Sequence, residues 1–558
     1  MSVVLRARPD QSAIPFATTE ISPEAREGAA RVLASGWVTT GPEVAKFEEE
    51  MAATLRVAHA VAVSSCTCAI ELSLRALRLP PGAKVLTSTM TFCGAVNAIV
   101  HAGLQPVLVD VNPETLMPDA STTAAAARRA KGVDAMVVLH FAGQPAPVQE
   151  LAEAAELPLS RVIEDAAHAL GAWVDDRPVG GISAATCFSF YATKNLPIGE
   201  GGMVTTRDQE MADYVRRARL HGMSRDAWKR YLPGSSWRYS VDEAGLKANM
   251  TDIQAAIGRG QLIHFPRWQE RRSEIALRYH VRLSAIPGIE TPPWPHGGRH
   301  AWHIYVIRVE PSFGMDRDSF IAALNDREIG TSVHFIPVHH QPYFQRLLGE
   351  GARGFPVADA VFPSIVSLPL HQGLTDEQVD RICFEIGDIP VQRPEAAVHA
   401  LGGVGNGHGG SPDRRPTRCL IVDAGPAGRR IAEDLQPFAE FGLVPIGFLH
   451  EGDSGGGNGH NGSRKRATAL PILGRPSELG SVIAEHAIDF VIIALPTVSK
   501  GEVRRLARIA LFAGASVRYL PLKENGIVQE IRMGDLRRAT ARRLQGPPSG
   551  QALGAGAT

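Results

Sequence analysis

The chain has 558 residues, more than one hydrophobic core can organise, so more than one domain is expected. Lys+Arg and Asp+Glu both number 58; the zero net charge argues against a broad nucleic-acid or anionic-membrane surface, and no run of about 18 apolar residues suggests a membrane span. The six cysteines are scattered without a CxxC pair or zinc-like spacing, which fits a reducing cytoplasm, and MSVVLRARPDQSAIPF lacks the apolar core of a signal peptide.

From Ile21 the pattern is helical: Ser22 is placed as an N-cap, Pro23 at the first helical position and Gly36 as a stop. Gly41-Pro42 breaks the chain, and a second helix is expected near Glu43. Val61-Ala62-Val63 reads as a strand, Ser64 to Thr67 as a turn and Cys68 to Leu77 as a helix. A small-residue turn that opens a helix presents free N–H groups to an anion, although many such turns bind nothing. KVLTST reads as another strand, followed by Thr91-Phe92, a helix from about Ala95 to His101 and a strand from Pro106 to Val111. Phe92 fits either a core position or a ring stacked on a ligand after a strand end. AMVVL is a buried strand. The alternation from about 58 to 205 predicts a mainly parallel sheet with helices on both faces.

Val162 to Thr205 is the stretch that carries chemistry. Val162-Ile163 ends on Glu164 and Asp165; Cys187 to Phe190 is a second apolar run, and Lys194 follows within a turn. Gly199, Gly201 and Gly202 are expected where the backbone bends tightly. A carboxylate at one strand end and a lysine past another meet at the sheet edge where open α/β sheets hold ligands. A surface salt bridge fits these two residues equally. An acid and an amine held together also suit pyridoxal phosphate: the amine joins the aldehyde, and the acid keeps the pyridine nitrogen protonated.

EDAAHALGA followed by CFSFYATKNLPIGEGGM closely resembles the sugar aminotransferases of the DegT/DnrJ/EryC1/StrS family, and SGWVTTGPEVAKFEE matches the N-terminal signature of that family. The resemblance covers residues 12–390. It implies fold type I of the pyridoxal phosphate enzymes: a three-layer α/β/α large domain over 12–265 and a small α/β subdomain over 266–393. It implies an aminotransferase that uses pyridoxal 5′-phosphate, with glutamate/2-oxoglutarate and a nucleotide-linked keto-sugar as substrates, working as a cytoplasmic homodimer with shared active sites. Lys194 would carry the cofactor and act as base, and Asp165 would face the pyridinium. His168 would lie against the ring or its hydroxyl, Phe92 would stack on it, and Thr67 and Ser189 would donate to the phosphate. The family turn usually reads Ser-Gly-Thr where this chain has Ser65-Cys66-Thr67, so Cys66 joins the cofactor-binding set with its need for a positive φ open. Asn249 would reach the phosphate in the neighbouring subunit; a helix cap by Asn249 or Thr251 fits the sequence as well. Two other readings are a sugar dehydratase, which would place His where Lys194 stands, and a non-catalytic ligand-binding or regulatory fusion.

Further along, a long helix is expected from Trp268, a strand at HAWHIYVIRVE, then helix, strand and a histidine-rich loop. His334, His339 and His340 are not expected to hold a metal, because the family uses none and no acidic or cysteine partner sits at ligand spacing. One or two of them would face the sugar nucleotide. Residues 394–416, rich in Gly and Pro, read as a flexible linker and 541–558 as a tail. Residues 417–540 resemble the small Rossmann-like N-terminal domain of polysaccharide-biosynthesis epimerase/dehydratases, whose Gly-Ala-Gly-x-x-Gly becomes Asp423, Gly425 and Gly428 here. A carboxylate at that turn repels a pyrophosphate, so no tight dinucleotide binding is expected.

Overall fold

The computed structural model describes residues 13–223, 239–294 and 298–390, and in the C-terminal part the strands and helical pieces that lie between 417 and 538. The chain divides into two compact units, residues 1–397 and 398–558.

The first unit opens with α1 (Pro23–Ser35), capped by Ser22 Oγ on Ala25 N and ended by Gly36 at φ 74°, as its sequence predicts. Helix α2 (Pro42–Leu55) follows. A seven-stranded sheet is then laid down by β1 (His59–Val63), β2 (Lys84–Ser88), β3 (Gln105–Val109), β4 (Ala135–Leu139), β5 (Val162–Asp165), β8 (Ala185–Ser189) and β9 (Gly202–Thr206), in the order β1-β9-β8-β5-β4-β2-β3. Between β5 and β8 runs an unforeseen small hairpin of β6 (Trp173–Val174) and β7 (Arg177–Pro178). The five strands β3, β2, β4, β5 and β8 are parallel to one another, and β9 is antiparallel to both β8 and β1. Helices α3 (Cys66–Ala76), α4 (Cys93–His101), α5 (Ala120–Arg129), α6 (Val148–Ala154) and α7 (Gln209–Ala218) fill the connections. The strands are buried almost throughout, as a sheet covered on both faces requires. Residues of β2 and β4 alternate between the two apolar clusters that flank them: Leu86 and Met136 lie in one, Val85 and Val137 in the other.

Helix α8 differs from the sequence expectation. It is one helix from Asp252 to Leu283, 32 residues long, and runs through Pro266 instead of starting at Trp268. Thr251 is its N-cap, in a reciprocal capping box with Gln254, so Asn249 does not cap it. Its C-terminal half packs Ile275, Tyr279 and Leu283 against a three-stranded antiparallel sheet of β10 (Ile289–Glu290), β11 (Tyr305–Val309) and β12 (Ile365–Leu368). Helices α9 (Arg317–Asn325) and α12 (Asp376–Asp388) complete this core, while α10 (Pro342–Leu348) and α11 (Pro356–Val361) contribute Phe344 and Ala358 to the cluster on the large sheet. The strand expected before the histidine-rich loop is absent: there are only two isolated bridges, Ile329 to Ile14 and Ser332 to Ser367 of β12.

In the second unit β13 (Thr417–Val422), β14 (Leu443–Leu449), β15 (Ile472–Gly474), β16 (Phe490–Ile493), β17 (Ser516–Tyr519) and β18 (Arg537–Arg538) form a six-stranded sheet, order β15-β14-β13-β16-β17-β18. All pairs are parallel except β17 with β18. Asp423, Gly425 and Gly428, together with the expected linker 394–416 and tail 541–558, lie outside the described residues.

Candidate active site

Strands β5 and β8 are adjacent and parallel, with Asp165 in register with Cys187. Their C-terminal ends therefore reach the same sheet edge, Asp165 at one and the Ser189–Lys194 loop at the other. Asp165 is 4% exposed. Its Oδ1 accepts the Ala167 N–H at 3.0 Å and the Cys66 thiol at 3.7 Å. Burial raises its pKa, and the Ala167 N–H and the Lys194 charge act against that rise. Glu164, one residue earlier, points to the other face of the sheet, where it takes hydrogen bonds from His140 (2.9 Å), Ser183 Oγ (2.7 Å) and Thr186 Oγ1 (3.0 Å). It is fully buried and structural.

Lys194 is half-buried, its backbone N–H bonded to Tyr191 O at 2.8 Å and its Nζ 3.4 Å from His303 Nε2. Burial draws its pKa down to about 8, against the pull of Asp165 and Cys66. An amine in that range is a free base roughly a tenth of the time at pH 7, on the order of a hundredfold more often than an ordinary lysine, which favours its use as a nucleophile or proton acceptor.

His168, three residues past Asp165, is buried, and its Nδ1 has no hydrogen-bond partner. Its ring stacks on Phe335 at 5.8 Å and lies 4.5 Å from the His303 ring. Burial, then the charge of Lys194, holds the imidazole well below its ordinary pKa. Phe92 stands just before α4, 59% exposed, with its ring 6.1 Å from Phe335. Phe92 is thus no core residue: it faces the space that His168 and Phe335 border. His334, also beside this group, has its pKa reduced to about 4 by burial.

The Ser65-Cys66-Thr67 turn opens α3 two residues earlier than expected. Ser65 is extended (φ −164°) and caps the Cys68 N–H with its hydroxyl; Cys66 is the first helical residue and has no positive φ, which answers the open question about its backbone. This turn lies on Gly202 of β9, where a Cβ would collide with Ser65 C and O. Of the three glycines expected at tight bends only Gly199, at φ 95°, needs a left-handed backbone; Gly202 serves close approach instead. A Cβ on Gly94 would press on Thr67 Oγ1. Ser189 Oγ accepts the Tyr191 N–H at 3.4 Å. Asn249 pairs with Val63 at the end of β1, and its side chain bonds Thr40 Oγ1 (2.7 Å) and Lys247 of its own chain.

Two features were beyond sequence reasoning. His303 reaches Lys194 from 109 residues away, with no local motif to mark it. His339 and His340 do have an acidic partner: both Nε2 atoms lie on Asp359 Oδ1, at 2.8 and 2.7 Å, and the three form the only group suited to a metal ion among the described residues. With Thr89 Oγ1 on His339 Nδ1 at 2.6 Å, these polar atoms already satisfy one another.

Residues 19–386 match the model of the DegT/DnrJ/EryC1/StrS aminotransferase family. The chain is 44% identical to the spore coat polysaccharide biosynthesis protein SpsC of Bacillus subtilis over 67% of its own length and 97% of that protein. Among solved structures it resembles the sugar aminotransferase Spr1654 of Streptococcus pneumoniae in its PLP form (28% identity, TM-score 0.60, 67% of this chain and 98% of that one). It also resembles DesV of S. venezuelae in complex with a ketimine intermediate (32% identity, TM-score 0.58, 65% and 93%). The family match over residues 19–386 and the two-thirds of the chain shared with SpsC make this protein a pyridoxal phosphate-dependent aminotransferase of the DegT/DnrJ/EryC1/StrS family.

Proposed function

We propose that this enzyme moves the amino group of glutamate onto a nucleotide-linked keto-sugar destined for a polysaccharide or other glycoconjugate. The observation that carries the reading is the unpartnered Nδ1 of buried His168, three residues past Asp165 and within reach of the Lys194 charge. A buried polar atom left without a partner costs free energy, and a polar group on a bound ring relieves it. Pyridoxal phosphate, when bound, supplies an electron-accepting ring that stabilises charge at the carbon losing or gaining a proton. Lys194 Nζ holds and returns that proton. The Asp165 carboxylate would hold the ring nitrogen protonated, His168 would bond the ring hydroxyl and Phe92 would cover the ring. The first-turn amides of α3 around Cys66 and Thr67, with Ser189, would hold the phosphate. Asn249 would serve the phosphate of a second subunit, a role that requires a homodimer. SpsC, a polysaccharide-biosynthesis protein, and the sugar aminotransferase Spr1654 favour a sugar acceptor. Lys194 disfavours the dehydratase reading, which needs histidine there.

The second unit is read as a Rossmann-like domain without dinucleotide chemistry. Its strand order, third-second-first-fourth-fifth-sixth by position in the unit, favours that fold. Free cysteines at all six positions and the lack of a helix long and apolar enough to cross a membrane, among the described residues, agree with a cytoplasmic enzyme.

The test is to add glutamate to purified protein loaded with pyridoxal phosphate. The visible absorbance should bleach with release of 2-oxoglutarate, and a panel of nucleotide-linked keto-sugars should restore it. Bleaching that no keto-sugar reverses would sink the sugar assignment. Mixed dimers of Lys194→Ala with Asn249→Ala should recover one intact site if the sites are shared.

A further inference from the structure

We propose that His303 is a positioning residue for the lysine of this site: its Nε2, kept as an unprotonated acceptor by Asn195, takes a hydrogen bond from the Lys194 amine and aims it. The proposal rests on the reading in which Lys194 carries the cofactor. It follows from a chain of hydrogen bonds that fixes one tautomer.

Asn195 is 3% exposed, and its Nδ2 donates to Ala301 O at 2.7 Å and to Gln269 Oε1 at 3.1 Å. Gln269 is oriented by the same carbonyl, since its Nε2 also donates to Ala301 O at 2.7 Å. With its two amide hydrogens engaged, Asn195 turns its carbonyl Oδ1 to His303 Nδ1, 3.1 Å away. A carbonyl only accepts, so Nδ1 carries the proton. A neutral imidazole has one N–H, and Nε2 is left as a lone pair 3.4 Å from Lys194 Nζ.

The ring stays neutral because of where it sits. It is 5% exposed, with the His168 ring 4.5 Å away. Arg272, on α8, donates Nη1 to the His303 carbonyl at 3.2 Å and to Trp302 and Leu370 carbonyls. Burial first, then Lys194, His168, Arg272 and His334, hold the imidazole well below its usual range. Lys194 has N–H donors whether charged or neutral, so it donates to Nε2 in both states. His303 fixes one N–H direction and thereby the arc open to the remaining valences. A lysine that must leave and rejoin a cofactor gains most from such a restraint when it is free.

The experiment uses cofactor-free, full-length protein and follows the visible absorbance as pyridoxal phosphate becomes covalently attached. His303→Asn keeps a donor for Asn195 and removes the acceptor facing Lys194; it should slow attachment about ten- to a hundredfold. His303→Gln offers a carbonyl near the Nε2 position and should restore most of the rate. Pyridoxamine phosphate cannot link to a lysine, so its affinity should be the same in all three proteins. Wild-type attachment in His303→Asn, or a parallel loss of pyridoxamine phosphate affinity, overturns the proposal. Should His303→Asn not fold by circular dichroism, Asn195→Leu replaces it: attachment should slow, with little further slowing in the His303→Gln background, and a full additive effect there overturns the proposal. Borohydride reduction and peptide mapping of the same samples separate the two readings, because a cofactor found on another lysine removes the role of Lys194 itself.

Discussion

Cys66 Sγ lies 3.7 Å from Asp165 Oδ1, with the thiol donating to a carboxylate that burial has already pushed toward its neutral form. The pair joins the first residue of α3 to the last residue of β5. Removing the donor should push Asp165 further toward neutrality. Cys66→Ala is therefore expected to weaken retention of pyridoxal phosphate by roughly three- to tenfold, the worth of one modest hydrogen bond. Cys66→Ser should recover most of it. Equilibrium dialysis reads both, and an unchanged Ala variant would make the thiol a spacer.

Asp165→Asn should fold normally and lose most of the transamination rate, on the order of a hundredfold or more, because an amide offers no counter-charge to a pyridinium. Stopped-flow bleaching with glutamate measures it. Near-normal turnover would reduce Asp165 to a strand-end residue.

With the Lys194 pKa brought down to about 8 by burial, covalent attachment of pyridoxal phosphate to cofactor-free protein should quicken as pH rises and level off above about 8. The sign follows from the amine reacting only as its free base, and an ordinary lysine would keep gaining rate toward pH 10. Lys194→Ala should hold the cofactor without a covalent bond. Mass spectrometry after borohydride reduction should find the label on Lys194 and not on Lys84, whose Nζ is tied to Ala130 O at 2.6 Å.

The buried His140–Glu164 pair is a stability element. His140 Nδ1 accepts the Ala146 N–H at 2.9 Å, so Nε2 donates to Glu164. Burial alone would raise the Glu164 pKa, yet His140, Ser183 and Thr186 together bring it below 4.5. A lowered carboxylate pKa stabilises the fold above the unfolded value and loses that contribution as pH falls through the folded one. His140→Leu should cost about 3 kcal/mol in urea unfolding near neutral pH. It should also shrink the acid-side loss of stability below about pH 4.5. A change within about 0.5 kcal/mol would contradict the assignment.

What could be read from sequence was local or repeated. Ser22, Pro23 and Gly36 mark α1 because caps act within one turn, and the apolar runs of β4 and β5 declare buried strands. Asp165 and Lys194 could be paired because parallel neighbours share a C-terminal edge. His303 and Asp359 could not, since their partners lie far along the chain and side-chain convergence leaves no periodic trace. The helix expected from Trp268 begins far earlier for a physical reason: Pro266 removes one helix hydrogen bond, but the buried Phe265 and Trp268 on either side carry α8 through it.

Helix α8 has a consequence for how this protein can change. A Cβ at Gly260 would collide with the Ala25 backbone at the start of α1, and one at Gly258 would press into the Phe47 ring of α2. At these two positions the N-terminal half of α8 has no room for even one added methyl group. Farther along, Arg272 and Arg278 hold it by side chains, which can be exchanged one at a time. Drift over generations should therefore be unequal along one helix: frozen where it meets α1, and free to explore where it enters the small subdomain.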